Sequence, residues 1–192
     1  MVDTMAEIIE RTNDDLVLRA RTQAVALGEL YELYYERIFR FCVHRLFDKE
    51  TSEDVTSTIF LEIAKKIRNF SGRTEQDFGN WLYAIAANHT NEYIRKKSRR
   101  KKILEKVICS TEFSIEENNE NSLEAKWQKL HESILKLKPE YQTIITLRFF
   151  ENMPYEKIAQ ILKMKEPTLR VIVHRILNDL RNELKNVFDQ EV

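Results

Sequence analysis

The residues of this sequence best equipped for chemistry are cations and amides rather than nucleophiles. Arg95 to Lys102 read Arg-Lys-Lys-Ser-Arg-Arg-Lys-Lys, and Asn80, Tyr83, Asn88 and Asn91 precede them, away from the apolar positions of the same segment. Cations neutralise phosphates, amides read base edges and aromatic rings stack on unpaired bases. Near the other end, Thr168, Arg170, Val171, Ile172, His174 and Arg175 fall outside the apolar stripe of another helical repeat. Laid in a major groove, Arg170 and Arg175 reach phosphates or guanine edges, and Thr168 or Val171 meets a thymine methyl. Spacing alone leaves plainer readings open: a basic helix end also suits the helix dipole, and a helical hairpin needs no DNA.

Catalytic chemistry has little to stand on. His44, His89, His131 and His174 fall on different predicted helices, and none belongs to an HExxH or similar ligand pair. His44 is close to Cys42, but residues two apart on a helix point to different faces. With Gly28, Gly72 and Gly79 as its glycines the chain has no glycine-rich phosphate loop. The expectation is no catalytic residue, no metal and no cofactor. Cys42 and Cys109 form no CxxC pair, which signals neither a disulfide framework nor a zinc knuckle and fits a reducing cytoplasm.

These side chains need helices to position them. The 192 residues are 43% apolar and include 3 glycines and 3 prolines, a composition that predicts an all-α protein with one medium core or two small ones. Formal net charge is zero, so this is not a simple basic coat for nucleic acid. The charge is instead segregated, the basic cluster giving way to an acidic stretch from Ser110 to Glu124. No run approaches the roughly 18 apolar residues of a membrane span, so no membrane insertion is expected.

From about Asp15, Leu16, Leu27, Leu30, Tyr34, Ile38, Phe41 and Leu46 recur at helical spacing. Thr51-Ser-Glu-Asp54 has the form of a capping box, and Val55, Ile59, Ile63 and Ile67 continue below it. Thr74 with Asp77 offers a cap for a third helix, whose stripe is Phe78, Trp81, Leu82, Ile85, Ala86 and His89. Periodicity lapses over Ser110 to Leu123, which predicts a linker and two modules. Beyond it, one helix ends near Lys138, and Pro139, Pro154 and Pro167 begin helices running to Phe150, Leu162 and about Val187. Only Lys163 to Glu166 separate the last two, the short turn of a helix-turn-helix. The last helix has the stripe Leu169, Val173, Ile176, Leu180 and Leu184.

The two halves together resemble the extracytoplasmic-function sigma factors of bacterial RNA polymerase over nearly the whole chain. Leu30-Tyr-Glu-Leu-Tyr-Tyr-Glu-Arg-Ile-Phe-Arg-Phe41, Ser52-Glu-Asp-Val-Thr-Ser-Thr-Ile-Phe60, Phe78-Gly-Asn-Trp-Leu-Tyr-Ala-Ile-Ala-Ala-Asn88 and Tyr93-Ile-Arg95 look like the family's region two. Leu137-Lys-Pro-Glu-Tyr-Gln142, Leu147-Arg-Phe-Phe150, Tyr155-Glu-Lys-Ile-Ala159 and His174-Arg175 look like region four. The resemblance divides the chain into a region-two domain (1–104), an acidic linker (105–124) and a region-four domain (125–192).

It also implies roles and partners. The helix from Ser52 to Arg68 would dock on core RNA polymerase through Asp54, Ser57 and Phe60. Asn69, Phe70, Asn80, Tyr83, Asn88, Asn91 and Arg95 would read and open the minus-ten promoter element, with Phe70 and Tyr83 stacking on flipped bases unless they belong to the core. Arg148, Thr168, Arg170, Val171, His174 and Arg175 would serve the minus-thirty-five element. The linker would thread the polymerase's nucleic-acid channel or act as a plain tether, and an anti-sigma factor would hold the protein in check.

The sequence departs from the family pattern at Ser57 (usually Gln), Lys163 (Gly), Lys165 (Ser) and Pro167 (Gly), while Val171 and Ile172 replace small polar and basic residues. The apolar pair implies either an unusual minus-thirty-five sequence or contact with a regulatory protein. A helix-turn-helix regulator acting alone is the rival reading, but it would not need the Ser52 to Phe60 segment, and no dimer seam is visible.

Overall fold

The computed structural model describes the backbone of residues 13–107 and 123–188, and the side chains of 13–100 and 129–184. The acidic linker, Cys109 and the end of the basic cluster fall outside the described side chains. All regular structure among the described residues is helical.

The first apolar run is broken near residue 22. Helix α1 covers residues 13–20, and α2 spans Ala24–Leu46. Helix α3 spans Lys49–Lys66, ends in a tight turn at Ile67–Asn69, and is followed by the long α4, Glu75–Val107. Leu30, Ile38 and Phe41 of α2 meet Ile59 and Ile63 of α3 and Phe78, Leu82 and Ile85 of α4 in a shared core. These are the stripes read from periodicity, with Leu27, Val55, Trp81 and His89 only half-buried.

Two helix starts illustrate how caps are chosen. At α3 the cap is Asp48 rather than Thr51, its carboxylate accepting the Thr51 N–H at 2.8 Å. A carboxylate is the stronger acceptor, and it starts the helix earlier than the sequence pattern suggests. At α4 the expected pair forms: Thr74 Oγ1 accepts the Asp77 N–H at 3.0 Å, and Asp77 accepts from Thr74 N at 3.2 Å and Arg73 N at 2.9 Å. The backbone N–H groups of Arg73 and Thr74 hold the Asp77 carboxyl below its ordinary value. A Cβ at Gly72 would run into the Phe70 ring and Asp77, so only glycine lets this loop fold against the cap.

The second half comprises α5 (Leu123–Lys136), α6 (Pro139–Ile145), α7 (Tyr155–Leu162) and α8 (Glu166–Phe188). The helix expected from Pro139 to Phe150 changes pitch at Thr146–Phe150, a π-turn closed by Glu151 N to Thr146 O at 3.0 Å. Pro154 is extended and caps α7 from outside instead of occupying its first turn. Lys163 takes the left-handed conformation, φ 52° and ψ 46°, at the turn of the helix-turn-helix. Leu169, Val173, Ile176, Leu180 and Leu184 of α8 are all buried, as periodicity predicts.

Candidate nucleic-acid interface

Burying that stripe turns the opposite face of α8 outward. Thr168, Arg170, Val171, His174 and Arg175 are all exposed, Val171 at 61%, whereas Ile172 is half-buried at the edge of the core. Arg170 Nε pairs with Glu166 Oε1 at 2.9 Å, and its guanidinium lies 4.4 Å from the Tyr155 ring centre. Arg148 lies 4.8 Å from the same ring and donates to the Met153 carbonyl at 3.1 Å. Tyr155 thus ties Arg170 of α8 to the half-buried Arg148 in front of α7 through cation–π contacts. Periodicity alone does not single out Tyr155.

Around the first half's nucleic-acid candidates the picture is different. Asn69, Asn88 and Arg95 are exposed. Phe70 is half-buried and stacked on Trp81 with ring centres 4.6 Å apart. Tyr83 is buried edge-on against Phe41 and donates to Glu151 Oε2 at 3.3 Å. Burial, followed by the Glu151 carboxylate, raises its phenol well above the ordinary value. Asn80 donates to Gln160 Oε1 at 2.9 Å, Arg95 pairs with Glu140, and Asn91 is only 8% exposed.

The buried Asn91 belongs to a polar knot that sequence reasoning missed. Arg45, 1% exposed, donates at 2.7 Å to both Gln142 Oε1 and Asn91 Oδ1 and at 3.1 Å to Pro139 O. Thr143 donates to the same Asn91 oxygen at 3.0 Å. Burial lowers the Arg45 guanidinium to about 10, still far above neutrality, so the cation is retained. Nearby, Glu151, whose side chain is 2% exposed, also accepts from Arg40 at 3.1 Å. The only hint in the sequence is a cation among Phe41, Cys42 and Leu46 on an otherwise apolar stripe.

The proposed docking residues divide by burial. Asp54 and Ser57 are exposed on α3, whereas Phe60 is packed at 4.8 Å edge-on to Tyr31 and 6.2 Å from Tyr35. No cluster of metal-ligating side chains occurs among the described residues. No helix in the described structure is long and apolar enough to cross a membrane.

Among the described residues, a four-helix first half followed by a helix-turn-helix whose second helix turns its arginines outward is the arrangement of a DNA-reading transcription protein. Residues 30–100 match the family description Sigma-70 region 2, and residues 127–180 match Sigma-70, region 4. The chain is 28% identical over 174 residues to ECF RNA polymerase sigma factor BldN of Streptomyces coelicolor, an alignment covering 86% of this chain and 63% of that protein. It is 27% identical over 173 residues to ECF RNA polymerase sigma factor SigW of Bacillus subtilis, covering 84% and 90% respectively. Its fold is similar to that of CnrH in complex with the cytosolic domain of CnrY, with TM-score 0.65 at 15% identity over 91% of this chain and 97% of that one. It is also similar to sigma factor RpoE in complex with the anti-sigma factor NepR from Bartonella quintana, with TM-score 0.58 at 20% identity over 82% and 96%. The chain belongs to the ECF RNA polymerase sigma factors. Members of this family direct RNA polymerase to promoters and are not themselves enzymes.

Proposed function

We propose that the chain works in the cytoplasm as a promoter reader divided into residues 1–104, 105–124 and 125–192. In this reading α3 docks on the polymerase through Asp54 and Ser57, while Phe60 sets the pitch of that surface from the core. Asn69, Phe70, Asn80, Tyr83, Asn88, Asn91 and Arg95 serve the minus-ten element. Arg148, Thr168, Arg170, Val171, His174 and Arg175 serve the minus-thirty-five element, with Arg148 acting through Tyr155. The observation that carries the reading is the division of α8: its apolar stripe is buried, while Thr168, Arg170, Val171, His174 and Arg175 are exposed. Val171 supplies the apolar contact that a thymine methyl requires.

An anti-sigma factor is the regulatory partner this reading favours, supported by the likeness of the fold to a sigma factor bound to such a protein. The deciding experiment is co-elution with core RNA polymerase from its own source, followed by run-off transcription on total genomic DNA. The expected result is a stoichiometric complex with discrete promoter-dependent transcripts. A folded protein that yields neither would overturn the reading.

A further inference from the structure

Helix α1 is built onto the loop that leads into α4. Leu16, Val17 and Ala20 anchor it in the core of the first half, while Asn13, Asp14 and Arg21 reach the loop. Asn13 donates to Glu75 Oε2 at 2.9 Å, and Asp14 accepts the Glu75 N–H at 2.5 Å. Just past the other end of the helix, the Arg21 guanidinium donates to the carbonyl of Gly72. Both ends of α1 thus hold the loop that carries Phe70. This helix lies ahead of residues 30–100, the part of the chain that matches the region 2 description.

Phe70 is almost enclosed by its own chain. Trp81 is stacked on it at 4.6 Å, Phe78 meets it edge-on at 6.0 Å, and Gly72 closes on the tip of the ring. Arg21 lies over the ring with its guanidinium 5.8 Å from the centre. That distance is close to the outer limit of a cation–π contact, about 6 Å, whereas Trp81 is in full stacking contact. Of the groups around the ring, Arg21 is therefore the one displaced at least cost. Its Nε is also buried with no hydrogen-bond partner among the described residues, which leaves a donor available to a ligand.

We propose that α1 is part of the minus-ten site and that Arg21 is a specificity-determining residue for the base extruded there. The inference rests on the minus-ten assignment of Phe70 made above. An extruded base enters over Phe70 where the guanidinium now lies, because base–aromatic stacking is stronger than a loose cation–π contact. Arg21 then moves to the edge of the base and donates to it through its planar fork. A guanidinium only donates, so it selects a base that presents a carbonyl oxygen, guanine, cytosine or thymine, over adenine, which has none.

The test uses holoenzyme and promoter DNA whose minus-ten stretch is left unpaired, with each of the four bases placed in turn at each unpaired position. Competition binding reads the base preference, and thermal melts of the free proteins read stability. The wild type is expected to prefer a carbonyl-bearing base over adenine at one position by about tenfold. Arg21→Ala should flatten that preference to within about twofold and leave the other positions unchanged. Arg21→Lys keeps the charge and the stem but not the fork, so it should bind as tightly as the wild type with the preference still flat. Val17→Ala removes buried packing from the same helix without touching the loop, and should lower the melting temperature while retaining the preference. A preference retained by folded Arg21→Ala or by Arg21→Lys, an equal loss in Val17→Ala, or adenine preferred at the position that Arg21 governs would each overturn the inference. A wild-type holoenzyme with no base preference at any unpaired position would remove the minus-ten reading, and the inference with it, a result distinct from the others.

Discussion

Arg45, on the second helix of the first half, donates to Oε1 of Gln142 in the second half at 2.7 Å, and both residues are 1% exposed. Gln142 in turn donates to the carbonyls of Leu137 and Leu135 at 2.9 and 3.1 Å, closing the end of α5. Arg45→Ala leaves Asn91 and Gln142 short of a donor and opens a cavity, an expected loss of about 2–4 kcal/mol. Urea denaturation measures it, and an unchanged midpoint would mean the two halves do not stay associated in solution.

The exposed arginines of α8 are expected to act on DNA and not on folding. Arg170→Ala with Arg175→Ala should leave the melting temperature nearly unchanged. The pair should weaken promoter binding by the holoenzyme and lower the salt slope by about one unit for each phosphate no longer neutralised. Binding titrations at several salt concentrations check this, and an unaltered slope would remove this face from the DNA interface.

Phe60 and Asp54 lie on the same helix but should fail differently. Phe60→Ala empties a site walled by Tyr31 and Tyr35 and should cost about 3–5 kcal/mol of stability. Asp54→Ala, at an exposed position, should change stability by less than about 0.5 kcal/mol while weakening assembly with polymerase. Parallel denaturation and co-elution measurements separate the two effects.

The reciprocal cap at the start of α4 gives a pH dependence with a definite sign. Thr74→Ala should cost about 1 kcal/mol. Asp77 has a folded pKa below its ordinary value of 3.8, so its stabilisation is present above that value and is lost as pH falls through the folded one. The stability gap between wild type and Asp77→Ala should therefore be full at neutral pH and shrink below about pH 4. A gap that persists at pH 2 would show that the carboxylate charge is not what stabilises the cap.

Lys163 holds a left-handed conformation where glycine would be unstrained. Lys163→Gly should raise stability by up to about 1 kcal/mol, because relief of side-chain strain exceeds the added chain entropy of glycine. Thermal melts of the two proteins decide it, and a destabilised variant would mean that the lysine side chain compensates its own strain.

Local patterns carried most of the fold. The stripes from Ile59 to Ile67, from Phe78 to Ala86 and from Leu169 to Leu184 could be read as written, because each needs only its own helix to show which side is apolar. The Thr74 and Asp77 cap was legible for the same reason, its partners being three residues apart. Caps failed where two acceptors compete, as Asp48 displaced Thr51. The helix begins at Pro139 as read, but it changes pitch where a π-turn at Thr146 absorbs an extra residue, which no periodicity announces.

By itself, then, the sequence determined the helical class, the division into two halves and the outward face of α8, since these follow from local periodicity, capping and motif order. Only the tertiary structure decided that Tyr83, Asn91 and Asn80 meet Glu151, Thr143 and Gln160. A polar residue off the apolar stripe reads the same whether it faces water, DNA or another part of its own chain. Which of these it meets depends on hydrogen bonds between residues 52 to 80 positions apart, and one-dimensional patterns do not record such pairings.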